Sequence, residues 1–169
     1  MADVTLKSAE YRIAPQIENI DGRHVSGAAF RRLVPVKAST TVEDGFERSS
    51  VVAATAATGP VRGMNGLVDY VKLGQSGFED FRGGFDRETI PAGVPVQMVQ
   101  GSEMKVAYRN SDDVKMVAGV TAVGALVTPQ TSPDDTAGYF VVTSTAAEAW
   151  GVITNISADG DIEVRFSNL

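Results

Sequence analysis

Apolar and polar residues alternate most cleanly near the end of the chain. In Gly160-Asp161-Ile162-Glu163-Val164-Arg165-Phe166, the residues Ile162, Val164 and Phe166 fall on one side and Asp161, Glu163 and Arg165 on the other. A period of two marks a strand with one face buried. Upstream, Ile90-Pro91-Ala92-Gly93-Val94-Pro95-Val96 reads as a turn followed by an apolar run. Between these ends lie short apolar runs broken by glycine: Val117-Ala118-Gly119-Val120, Gly124-Ala125-Leu126-Val127, Tyr139-Phe140-Val141-Val142 and Trp150-Gly151-Val152-Ile153. Short strands at regular spacing with turn signals predict a compact β-barrel or sandwich module over residues 90–169. The Asp159-Gly160 turn predicts a hairpin joining 151–155 to 161–166.

The first half is patterned more loosely. Over residues 1–24 the apolar points are Tyr11, Ile13, Ile17 and Ile20, and Pro15 interrupts any helix. This predicts an extended N-terminal arm with one edge strand. Residues 25–89 read as a β-rich region with a glycine-rich loop. Phe30, Leu33 and Val34 form an apolar run that Pro35 limits to a strand end or sheet edge. Asp44-Gly45 is a second hairpin signal. The alanine-rich stretch 49–58 suits a strand or a helix. Met64, Leu67, Val68 and Val71 match a helical face, while the alternation over 67–73 also fits a strand. In the loop, Gly74, Gly77, Gly83 and Gly84 surround Phe78 and Phe81, with Phe85 just after. Three phenylalanines need burial, either on their own core or at a subunit interface, where aromatics are enriched. The fold class is therefore mainly β: a small barrel or sandwich module, an extended N-terminal arm, and at most one or two short helices.

Charge sharpens this picture. The 169-residue chain carries a formal net charge of −6, distributed unevenly. Residues 1–89 hold 11 Lys and Arg against 12 Asp and Glu, a net of −1, whereas residues 90–169 hold 4 against 9, a net of −5. An acidic second half suits a solvated surface, and a near-neutral first half suits contact with a partner. No basic stripe offers itself to a phosphate backbone, which argues against nucleic acid. Arg31-Arg32 is the densest basic spot; it reads as a solvated pair or as a contact for an acidic partner surface. No apolar run approaches the roughly 18–20 residues that span a bilayer, which argues against a membrane partner. The start, Met1 to Lys7, lacks the pattern of a signal peptide, so synthesis in a cytoplasm is expected.

Candidate chemistry is sparse. There is no cysteine, which removes disulfides and thiolate metal sites. His24 is the only histidine and reads as a surface-loop residue; most metal sites and base-assisted nucleophiles need more. Asp112-Asp113 and Asp134-Asp135 sit in turn-like contexts, where aspartate bonds its own backbone. The ligand spacing of a calcium loop is absent, and so are phosphate-binding glycine motifs. Trp150 reads as core or near-core, with sugar stacking as the minority reading. No catalytic residue, metal ligand or cofactor site is expected, and the chain reads as something other than an enzyme.

One resemblance emerges from these stretches. Ile90-Pro91-Ala92-Gly93 with Val94 and Val96, Ala118-Gly119-Val120, Ala149-Trp150-Gly151-Val152 and Gly160-Asp161-Ile162-Glu163-Val164 together resemble the capsid decoration, or cement, proteins of tailed bacteriophages. The resemblance covers about the last 80 residues. It implies a structural virion protein on the outer surface of the expanded head, commonly a homotrimer, that clamps neighbouring major capsid subunits against internal DNA pressure. On that reading the arm residues Tyr11, Ile13 and Ile17, the pair Arg31 and Arg32, and the cluster Phe78, Phe81 and Phe85 are the interaction candidates. Two other classes remain open: another phage head or tail component, and a β-sandwich ligand- or carbohydrate-binding module.

Overall fold

The computed structural model describes residues 8–13, 24–43, 48–56, 58–61, 64–70, 89–101, 103–166 and 169. Within them the chain is mainly β. The strands run in order β1 Ala9–Ile13, β2 His24–Ser26, β3 Phe30–Arg31, β4 Pro35–Glu43, β5 Arg48–Ala53, β6 Asn65–Tyr70, β7 Thr89–Ile90, β8 Pro95–Val99, β9 Met104–Arg109, β10 Val117–Ala118, β11 Leu126–Asp134, β12 Gly138–Thr143, β13 Gly151–Ile156 and β14 Asp161–Phe166. A short 3-10 turn covers Ala146–Glu148.

Two sheets organise these strands. The first has seven, in the order β1-β9-β14-β13-β11-β12-β10. Its pairings are antiparallel except for β10 beside β12. The second is a closed five-stranded barrel, β2-β5-β4-β6-β8, and a two-stranded ribbon, β3-β7, stands beside them. Closure leaves no open edge in the barrel. β8, inside the stretch 90–169, pairs with β2 and β6 of the barrel. β1, from the arm, pairs with β9 of the sheet.

The predicted hairpin forms. Gly151 to Ile156 runs antiparallel to Ile162 to Phe166, with Ile153 opposite Val164. Ser157 organises the turn: its N–H bonds the Asp161 carbonyl at 2.9 Å and its hydroxyl accepts the Asp161 N–H at 3.0 Å. Gly160 takes φ +87°, where a Cβ would be strained. As expected from the alternation, Ile162, Val164 and Phe166 are buried. Gly151 is required for a different reason: a Cβ there would stand 2.7 Å from the Arg165 carbonyl oxygen and 2.8 Å from a Val164 methyl carbon.

Each ambiguous stretch contains a strand and no helix among its described residues. β5 takes residues 48–53 and β6 takes 65–70. β6 is buried along four successive residues, Gly66-Leu67-Val68-Asp69, and so on both faces, and Asp69 meets Tyr11 of β1 in the sheet. That double burial erases the period of two. His24 corrects the sequence reading. It lies in β2, 7 % exposed, rather than in a surface loop. Strand pairing with β5 and β8 on either side draws it in despite its polar neighbours.

Barrel and sheet share one core. Val36, Val51, Val68, Val96 and Met98 of the barrel belong to the same buried cluster as Val106, Tyr108, Phe140, Trp150, Val164 and Phe166 of the sheet. Tyr108, Phe140 and Phe166 form an aromatic triangle with centroids 5.4, 6.2 and 5.5 Å apart. Tilted and edge-on contacts of this kind add about 0.5–1.5 kcal/mol each beyond the area they bury.

Candidate functional site at the seam of barrel and sheet

Polar side chains converge where the barrel meets the sheet. The segment 31–33, from the end of β3 into the turn before β4, supplies most of them. Leu33 is fully buried with φ +60°, a left-handed conformation that a branched residue adopts only under constraint. The constraint is visible at both of its peptide groups. Its N–H donates to the Val68 carbonyl of β6 at 2.7 Å. Its own carbonyl accepts the Tyr108 hydroxyl of β9 at 2.6 Å.

The two arginines before Leu33 diverge. Arg32 makes a two-point contact with Asp69, Nε to Oδ1 at 2.8 Å and a second guanidinium nitrogen to Oδ2 at 3.1 Å. Asp69 also accepts the Tyr70 N–H at 2.8 Å and the Tyr11 hydroxyl at 3.1 Å. The Asp69 and Arg32 side chains are 4 % and 16 % exposed, so this is a buried, charge-assisted knot. It joins β6 to β1. Arg31 reaches the other way and grips Asp135 at 2.8 and 2.9 Å, in the turn between β11 and β12. The Tyr139 hydroxyl also donates to Asp135.

The titration behaviour follows from this geometry. The hydrogen bond from Arg31 holds the Asp135 carboxyl down at about 2. Burial, then the bond to Asp135, pushes Tyr139 up to about 12. Burial, then the charge of Asp69, raises Tyr11 far above the usual phenol range, and burial alone raises Tyr108. Arg31 and Asp135 therefore stay an ion pair, and the three phenols stay protonated, across the neutral range. Its groups are saturated with one another, which suits a structural tie better than proton transfer.

Outside the seam lie two further features. The outer face of β1, β9 and β14 carries a charge lattice: Arg12 with Glu10 at 2.7 Å and Asp161 at 3.5 Å, Arg109 with Asp161 at 2.9 Å, and Lys105 with Glu163 at 3.2 Å. Exposed pairs of this kind contribute little individually. A cleft of ≈ 430 Å³ opens between Gly59-Pro60 and the turn at Ala146, Ala147 and Ala149, over Val152. Its lining carries no titratable side chain, so it offers contact rather than chemistry. Among the described residues no group of three or more His, Asp or Glu stands close enough to hold a metal ion.

No family model, curated protein or solved structure matches this chain.

Of the residues nominated from the sequence, the structure brings Tyr11 and Arg32 together on Asp69. Arg31 is bound to Asp135, and neither arginine is a free cation on the surface. Ile13 ends β1 and is 47 % exposed. Ile17, Phe78, Phe81 and Phe85 lie outside the described residues. Asp134 matches its turn reading, since its carboxylate accepts the N–H groups of Thr136 and Ala137. Its neighbour Asp135 serves the Arg31 tie instead. Trp150 is 1 % exposed and is core, so its ring is no stacking platform. Sequence reasoning missed Asp69, Tyr108 and Leu33. The one available signal was Asp69 itself, a lone acid inside the apolar run from Leu67 to Val71, since a buried charge needs a partner.

Proposed function

We propose that this chain is a non-enzymatic structural protein of a tailed-bacteriophage virion. It decorates the outer surface of the expanded head and clamps neighbouring major capsid subunits, associating with further copies of itself, as a homotrimer in the form the resemblance implies. The resemblance of Ile90–Gly93, Ala149–Val152 and Gly160–Val164 supports the family. The observation that carries the reading is mechanical. Barrel, ribbon and sheet share one core; Arg32–Asp69–Tyr11 ties the barrel to the sheet, Arg31–Asp135 ties the ribbon to it, and Tyr108–Leu33 ties to it the turn between ribbon and barrel. A clamp must pass load from one contact to another without yielding, and packed interiors transmit strain well.

The test uses expanded heads that lack the protein. Mixed with the purified chain and sedimented, they should carry it at regular surface positions by electron cryo-microscopy and should burst at a higher temperature. Heads that stay bare, or that burst at an unchanged temperature when coated, would sink the proposal. Because Arg31 and Arg32 are committed inside the molecule, occupancy should change little with moderate salt.

A further inference from the structure

Six of the seven strands in the larger sheet come from residues 104–166. The seventh, β1, comes from the far end of the chain and occupies the edge. It matches β9 in register, with Ala9 opposite Tyr108, Glu10 opposite Ala107 and Tyr11 opposite Val106. Ala9 is fully buried. The seat on β9 is thus shaped for this segment, with a small residue over a large ring and a tyrosine over a valine.

The hold on β1 is uneven. The register slips between Tyr11 and Ile13, which leaves Arg12 in a bulge. Arg12 and Ile13 are both exposed, and the Arg12–Asp161 contact is long at 3.5 Å. The strand is thus held firmly at Ala9 and at Tyr11, whose hydroxyl bonds Asp69, and loosely at its bulged, exposed end, where opening can begin. Residues 14–23 separate β1 from β2. Ten residues can span at most roughly 33–36 Å, which is the upper limit on the distance between β1 and β2.

We infer that β1 is exchangeable: the strand of one copy seats on the β9 edge of a neighbouring copy. The contacts are the same on either molecule, so exchange costs no pairing. What selects the partner is effective concentration, which rises when copies crowd together. The occupant is a second copy of this chain because the fit of Ala9 and Tyr11 to Tyr108 and Val106 is already displayed. This goes beyond the proposed function and does not depend on it, since exchange is read on the isolated protein.

The absence of cysteine from the chain makes the test clean. Facing residues on paired strands have Cβ atoms about 4.5–5.5 Å apart, close enough to cross-link with small adjustment. Full-length Glu10→Cys and Ala107→Cys, differently tagged, are mixed at high concentration and mildly oxidised. Exchange predicts a disulfide joining one kind of chain to the other. Ile13→Cys with Lys105→Cys is a second facing pair, for use if the first perturbs folding. Glu10→Cys mixed with Lys37→Cys, on the barrel, should give none. The oxidised double variant Glu10→Cys/Ala107→Cys, locked within one chain, should lose exchange. A facing mixture with no mixed disulfide, or one that cross-links no better than the Lys37→Cys control, overturns the inference.

Discussion

At the scale of single residues, the seam is decided by who accepts from whom. Asp69 is almost wholly buried and holds Arg32, Tyr11 and the Tyr70 N–H at once. Removing one partner of a buried pair strands the other charge. Asp69→Ala should therefore cost about 3–5 kcal/mol in urea unfolding, while Tyr11→Phe should cost only ~1 kcal/mol. Equal losses would show that the arginine is solvated in the variant and that the knot is weaker than its geometry implies. Asp135 behaves differently because its side chain is 42 % exposed. Its carboxyl sits at about 2 in the folded protein against an ordinary 3.8. A depressed carboxyl stabilises the fold above its ordinary value, and that stabilisation is lost as pH falls through the folded one. The stability gap between wild type and Asp135→Asn should be at most about 1 kcal/mol near neutrality and should close between pH 4 and 2. Unfolding curves across that range would show it; a gap independent of pH would mean that Arg31 does not set this carboxyl.

At the scale of elements, the two edges of the larger sheet are finished differently. β10 is only two residues long. The Asn110 side chain caps it, accepting the Met116 and Val117 N–H groups and donating to the Val117 carbonyl. One amide thus stands in for a neighbouring strand. The hairpin of β13 and β14 depends on close approach at Gly151, where even a methyl group meets backbone. Gly151→Ala should destabilise by about 1–3 kcal/mol, read from thermal unfolding. A neutral result would show that β13 and β14 can part slightly without disturbing the Phe166 side of the core.

For the whole molecule, the arm is part of the architecture. β1 covers the β9 edge and contributes Ala9 and Tyr11 to the packing around the core. Deleting residues 2–13 should uncover Met104–Arg109 as an open edge and lower stability by at least ~2 kcal/mol, the order of one large side chain's burial. It should also promote association through that edge, detectable by light scattering. A truncated chain that stays monomeric and melts with the full-length protein would show that β1 adds nothing.

What the amino-acid sequence determined by itself is local. The alternation at Ile162, Val164 and Phe166, the Asp159-Gly160 turn and the glycine-punctuated runs made the β-rich second half and its last hairpin legible. The reason is that one-sided burial writes a period of two into the chain. What only the tertiary structure decided is which strands meet. β6 is buried on both faces and so carries no period. His24 has polar neighbours in sequence but barrel strands on either side. Arg31 and Arg32 are adjacent in sequence yet grip aspartates 66 positions apart, Asp135 and Asp69, because Arg31 ends β3 while Arg32 already stands in the turn that carries Leu33 into its left-handed conformation. Pairing, barrel closure and the seam are long-range choices made by burying faces together, and no short window of sequence contains both partners.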